Sequence, residues 1–153
     1  MKKHKIFIAA LILGLFVVLP AAAQKTEKEF LKMYTDFLKK KGFNPSVNDG
    51  GYVVFTKDNL AYFITPAFRN SPMKFQIVAI IAGLEKYQYQ KLLAAANETN
   101  IGYFGIKITI LDNGKSALVS SEMSLSSPKV FQIVFELVMT NLIEAEKSFI
   151  EKL

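Results

Sequence analysis

Histidine and cysteine supply much of the acid–base, nucleophilic and zinc-binding chemistry open to a protein at neutral pH. This 153-residue chain has no cysteine and a single histidine, His4. No Ser-His-Asp triad, cysteine nucleophile or His/Cys zinc site is expected of it, and no metal or cofactor. Carboxylates, tyrosines, lysines and serines remain. Glu85, Glu98, Asp112 and Glu122 are scattered along the chain, and no spacing forces any two of them together. A two-carboxylate hydrolase site stays open as an alternative, but solvated surface is the plainer reading. Gly102-Tyr103-Phe104-Gly105 precedes a strand pattern and leads into no helix, so it is no phosphate-binding loop. Ser116, Ser120, Ser121, Ser124, Ser126 and Ser127 form a serine-rich zone without an S-x-x-K or G-x-S-x-G arrangement. They read as a polar sheet face, a turn and a helix cap. Asn97, in Asn97-Glu98-Thr99-Asn100, reads as the end of a helix.

The start of the chain reads as an address. Lys2, Lys3, His4 and Lys5 precede an apolar run from Ile6 to Leu19, followed by Pro20 and Ala21-Ala22-Ala23. A charged segment, a short apolar segment and a small-residue A-x-A site are the parts of a secretory signal peptide. Spanning a bilayer takes ~20 apolar residues, more than this run offers. The expectation is a cleaved leader over 1–23 and a single domain over 24–153, periplasmic or secreted from a Gram-negative bacterium. No lipid or membrane anchor is expected after cleavage. The leader takes three lysines and His4 with it, so the mature domain keeps 16 basic residues against 13 acidic. A net charge of +3 favours solubility and lacks the clustered basic stripe of a nucleic-acid binder. Lys39-Lys40-Lys41, the densest basic run, falls at a helix end, where cations complement the helix dipole.

These residues must be held by elements that the pattern makes legible. Thr26 and Glu29 have capping-box spacing, and Phe30, Leu31, Met33, Tyr34, Phe37 and Leu38 recur at helical spacing up to Lys41, with Gly42 as the stop. Phe43–Asn48 contains Pro45 and reads as an edge strand or irregular segment. Asp49-Gly50-Gly51 is a turn, and Lys57-Asp58-Asn59 joins strands over Tyr52–Thr56 and Leu60–Thr65. Pro66–Pro72 is a loop with Arg69, the only arginine. Met73–Ala82 is apolar enough for a strand buried on both faces over part of its course. A second helix is expected over Leu84–Asn97. Tyr103–Leu111 and Lys115–Met123 follow as strands around the hairpin signal Asn113-Gly114. Ser127 as N-cap and Pro128 at the first helical position open a last helix running to about Lys152.

That last helix is too apolar for one face. Phe131, Val134, Phe135, Val138, Leu142, Ala145 and Phe149 already make a core stripe. Val130, Ile133, Leu137, Met139, Ile143 and Ile150 widen it well beyond. Such a helix is either sandwiched on more than one side or left partly bare for a partner. Ile133, Met139, Ile143 and Ile150 are the expected contact residues.

The element order, α-ββββ-α-ββ-α, describes an α+β fold in which helices pack on an antiparallel sheet. It is similar to the YbjN and type III secretion chaperone-like family. Leu92-Leu93-Ala94-Ala95-Ala96-Asn97-Glu98-Thr99-Asn100, then Phe104-Gly105-Ile106-Lys107-Ile108 and the Asn113-Gly114 hairpin, resemble that family's second helix, Asn-containing turn and strand pair. The resemblance implies an α+β sandwich that binds a protein or peptide, often as a homodimer, and catalyses nothing. The rival expectation is a periplasmic small-ligand-binding domain or carboxylate-based hydrolase. It requires a pocket lined by Tyr52, Tyr62, Tyr87 or Tyr103 and converging on a charged group such as Arg69.

Overall fold

The structure, a computed structural model, describes residues 27–66, 74–124 and 128–153. The leader, Thr26, Arg69, Met73, Ser126 and Ser127 lie outside the described residues. Helix α1 (Glu27–Lys40) is followed by strands β1 (Ser46–Val47), β2 (Val53–Lys57), β3 (Leu60–Pro66) and β4 (Lys74–Ala82). Helix α2 (Tyr89–Gly102), the pair β5 (Ile106–Leu111) and β6 (Ser116–Ser124), and helix α3 (Pro128–Glu151) complete the chain. The order is the α-ββββ-α-ββ-α expected from sequence. All six strands form one antiparallel sheet in the order β1-β2-β3-β4-β6-β5.

Local chemistry explains most boundaries. Helix α1 stops in a Schellman motif: Phe43 N–H donates to the Leu38 carbonyl and Gly42 N–H to that of Lys39, both at 3.0 Å. Gly42 sits at φ +87°, where a side chain would be strained. The β2–β3 hairpin is tighter than the three-residue connection read from the sequence. Lys57 pairs with Leu60, so Asp58 and Asn59 alone make the turn, both at positive φ. Asn113-Gly114 does lie in a hairpin. However, Leu111 pairs with Ser116, so Asp112 to Lys115 form a four-residue loop. Gly114 is buried there at φ +93°, and a Cβ on it would come within 3.1 Å of Leu92 and Tyr89 on α2.

Helix α2 corrects the sequence reading by five residues at each end. It starts at Tyr89 because Leu84 is held elsewhere: its side chain is buried and its N–H donates to the Lys115 carbonyl. It continues past Asn97, which is an exposed mid-helix residue, to Gly102. Asn100 is the structural asparagine instead. Its amide nitrogen donates to the Ile108 carbonyl at 3.1 Å, and its oxygen accepts from Ile108 N–H at 2.6 Å. One side chain thus satisfies both backbone groups of a residue on the edge strand β5, fastening α2 to the sheet.

One sheet face is covered and the other is not. Val53, Phe55, Tyr62, Ile64, Phe75, Ile77, Ala79, Ala117, Val119, Ile106 and Ile108 alternate onto the covered face and are buried with the helices. Onto this layer Phe131 and Phe135 of α3 bring aromatic edges. Phe131 lies 4.6 Å from Tyr34, 5.3 Å from Phe37 and 4.9 Å from Phe75 between ring centres, all edge-to-face. Such pairs contribute ~0.5–1.5 kcal/mol each beyond area burial. The opposite face carries Val54, Phe63, Val78, Ile80 and Leu118, of which only Val78 is buried.

Candidate functional site

Helix α3 answers the question its composition raised by doing both things at once. The expected stripe is in the core: Phe131, Phe135, Val138, Leu142, Ala145 and Phe149 are buried, with Val134 partly so. Met139 joins them at 1% exposure. This corrects its place among the contact residues. Helix α3 is flanked by the sheet, by α1 and by α2, so a position just beyond the stripe is already covered. Ile143 is half-buried against the same core. Ile133 and Leu137, one turn apart, are instead 77% and 64% exposed. Ile150 is 44% exposed, near the other end of the helix.

More bare hydrocarbon lies close by in the fold. Ile101, at the end of α2, is 87% exposed, and Phe104, in the turn that follows, is completely exposed. The Lys91 ammonium at the start of α2 donates to the terminal Leu153 carbonyl, so the start of α2 lies beside the end of α3. Ile106 pairs with Ser121 near the end of β6, from which the chain proceeds to α3. Ile101 and Phe104 stand at the opposite end of α2 from the Lys91 contact, and Ile133 and Leu137 in the half of α3 away from Leu153. Large exposed apolar groups concentrated in one region are the usual mark of a docking surface. The sequence reading chose Ile133 as a contact residue, counted Leu137 only among those that widen the arc, and missed Ile101 and Phe104. Phe104 was legible as a Phe between a helix end and Gly105, where nothing requires burial.

The tyrosines do not converge. Of the four that the rival reading names, Tyr52 is exposed, Tyr87 and Tyr103 are half-buried, and Tyr62 is in the core. Glu85, Glu98, Asp112 and Glu122 are all at the surface, and Asp112 accepts a hydrogen bond from the Ser116 hydroxyl at 3.1 Å. Among the described residues, no group of His, Cys, Asp and Glu could hold a metal ion. No helix among them is long and apolar enough to cross a membrane.

A second site was not anticipated. Glu146, on the buried stripe between Leu142 and Phe149, is only 8% exposed. The Tyr62 hydroxyl donates to its Oε2 at 2.9 Å, while Oε1 has no hydrogen-bond partner among the described residues. Burial pushes the Glu146 carboxyl up to about 7, and the Tyr62 hydrogen bond opposes this in part. The Tyr62 hydroxyl is itself pushed well above its ordinary range, first by burial and then by the Glu146 charge. Beside the pair is a pocket of about 340 Å³, lined by Leu60, Ile81, Glu146, Lys147, Ile150 and Glu151. It lies between the last turns of α3, the start of β3 and the end of β4. The sequence signal was available: Glu146 is four residues after Leu142 and three before Phe149, so helical spacing places it on the core face.

No protein-family model matches the chain, and no curated protein sequence does. Solved structures do. The fold is similar to that of YbjN from E. coli, with a TM-score of 0.60 at 12% identity over 75% of this chain and 87% of that one. It is similar to a chain of the HopA1-SchA chaperone–effector complex, with a TM-score of 0.60 at 16% identity, covering 84% of this chain and 99% of that one. An uncharacterized protein from Methanothermobacter thermautotrophicus aligns with a TM-score of 0.53 at 15% identity, over 80% of this chain and 98% of that one. The chain thus has the α+β fold found in YbjN and in a chaperone–effector complex of this kind.

Proposed function

We propose that the chain is an exported, non-enzymatic domain that binds a protein or peptide through its bare apolar end. The observation that carries this reading is the exposure of Ile133 and Leu137 on α3, together with Ile101 and Phe104. Their transfer from water supplies the driving force, ~25 cal/mol for each Å² of apolar surface covered. Ile143, half-buried, flanks that surface, while Ile150, at the other end of α3, lies apart from it. The edge strand β1, whose two residues are both exposed, offers a place for an extended segment to add to the sheet. The likeness to a chain from a chaperone–effector complex supports a protein as the partner. The charged and apolar segments at positions 2–19 support export to the periplasm. The lack of cysteine, and of histidine beyond His4, supports a binding role over catalysis.

The test is a pair of charges on the bare helix face. Ile133→Asp with Leu137→Asp should leave the circular-dichroism spectrum and cooperative unfolding intact. The same variant should lose envelope partners recovered by crosslinking from cells, or self-association seen by light scattering. Unchanged association with a folded double variant rejects this surface.

A further inference from the structure

The pocket at the far end of α3 goes beyond that reading, because it lies away from the bare apolar end and holds a different chemistry. Its walls are hydrocarbon: Leu60 and Ile81 from the sheet and Ile150 from the helix. Glu146 also lines it, with one carboxylate oxygen satisfied by Tyr62 and the other buried just behind the wall and unpartnered among the described residues. A buried acceptor without a donor is destabilising, and more so when charged. A core position would not ordinarily hold such a group where Leu or Met would pack. The remaining charged groups at the pocket, Lys147 and Glu151, are exposed and cancel each other, leaving one net negative charge. Asp58, whose charge acts on Tyr62, adds to the negative side. The pocket volume falls within the range of small-molecule sites.

We infer that this pocket takes an ammonium group carried on an apolar stem, the stem against Leu60, Ile81 and Ile150 and the ammonium on Glu146. A turn of the Glu146 side chain brings the buried Oε1 to the ammonium, which supplies the hydrogen bond that this oxygen lacks and neutralises the carboxylate, while the stem covers apolar wall. An anion meets the carboxylate's repulsion, and a neutral alcohol offers a donor without the charge. A free small amine and a lysine side chain of a bound peptide both present this chemistry.

The experiment is titration of the whole protein with phenethylamine, 2-phenylethanol and 3-phenylpropionate, matched in ring and length, followed by NMR and thermal melting at pH 8. At that pH Glu146 is largely ionised, since its carboxyl titrates at about 7. Phenethylamine should raise the melting temperature saturably and shift the signals of Leu60, Ile81 and Ile150. It should bind at least tenfold more tightly than the alcohol or the acid. Glu146→Gln should weaken amine binding tenfold or more. Ile150→Trp, a change at the half-exposed mouth, should block binding without altering charge. A fourth probe, Nα-acetyl-lysine N-methylamide, identifies the source. Affinity matching phenethylamine assigns the pocket to a peptide lysine, and weaker binding assigns it to a free amine. Equal binding of all three matched probes, undiminished amine binding in a folded Glu146→Gln variant, or no shifts at the lining residues would each overturn the inference. None of these outcomes touches Ile133 or Leu137, so the protein-binding reading stands or falls separately.

Discussion

Between Phe131 and Met139, α3 presents aromatic and aliphatic side chains to the core and leaves Ile133 and Leu137 bare on its outer side. Two turns further on, the same helix presents a carboxylate to the core, bonded to Tyr62 on β3 and lining a pocket. The first half is an ordinary core with an unusual outside. The second half has an ordinary outside, with Lys147 and Glu151 exposed, and an unusual inside. A site for a large apolar partner needs only exposed hydrocarbon, whereas a site for a small polar group needs an unsatisfied one within reach. One helix therefore contains two kinds of departure from simple amphipathic design, and each points to a different kind of ligand.

The sharpest way to break this comparison is to put a charge on each side of the first half. Met139→Asp places an unpaired carboxylate in the core and should destabilise by more than about 4 kcal/mol, so that the variant is largely unfolded by circular dichroism. Ile133→Asp, on the bare side of the same half, should shift stability by under about 0.5 kcal/mol. Comparable losses at both positions in urea titrations would mean that the two sides of α3 are not different.

The second half should reveal itself by pH. The Glu146 carboxyl titrates at about 7 in the folded state against an ordinary value of 4.5, so the folded protein holds this proton more tightly than the unfolded chain. The contribution to stability is complete below about 4.5 and is lost as pH rises through about 7, by up to roughly 3 kcal/mol. Asp36, held low by its Lys32 hydrogen bond, acts in the opposite sense and only at more acidic pH. Glu146→Gln should flatten the profile between pH 5 and 8 in urea titrations, and a slope unchanged from wild type contradicts the assignment. Removing the hydroxyl with Tyr62→Phe takes away the one bond that favours the charged form. The midpoint should then move further up, as read by NMR of the labelled carboxyl.

A smaller effect is expected at the α2–β5 clasp, remote from both halves. Asn100→Ala deprives both backbone groups of Ile108 and should cost about 1–2 kcal/mol. The Ile108 amide should exchange faster with deuterium while the amides of β3 and β4 do not.

The element order was legible because each element carries its own local signal: the Gly42 stop, the Asp58-Asn59 and Asn113-Gly114 turns, and Pro128 at the head of α3. The errors arose where a residue's role depends on something distant in sequence. Asn97 and Asn100 look alike as local caps, and only the position of β5 decides that Asn100 grips Ile108. Leu84 carries an apolar period that fits a helix, yet the Lys115 carbonyl holds its N–H outside one. Met139 and Ile133 are equally apolar. Which of them is covered depends on where the sheet, α1 and α2 lie around α3. Glu146 was visible as an acid on a buried stripe, but its partner Tyr62 is 84 residues away, beyond any local pattern.

The most direct test of the account is crosslinking recovery of partners by the Ile133→Asp, Leu137→Asp double variant, beside wild type and beside the pocket variant Glu146→Gln. A folded double variant should recover no partner, whatever the Glu146→Gln protein recovers. A folded double variant with wild-type recovery would contradict it.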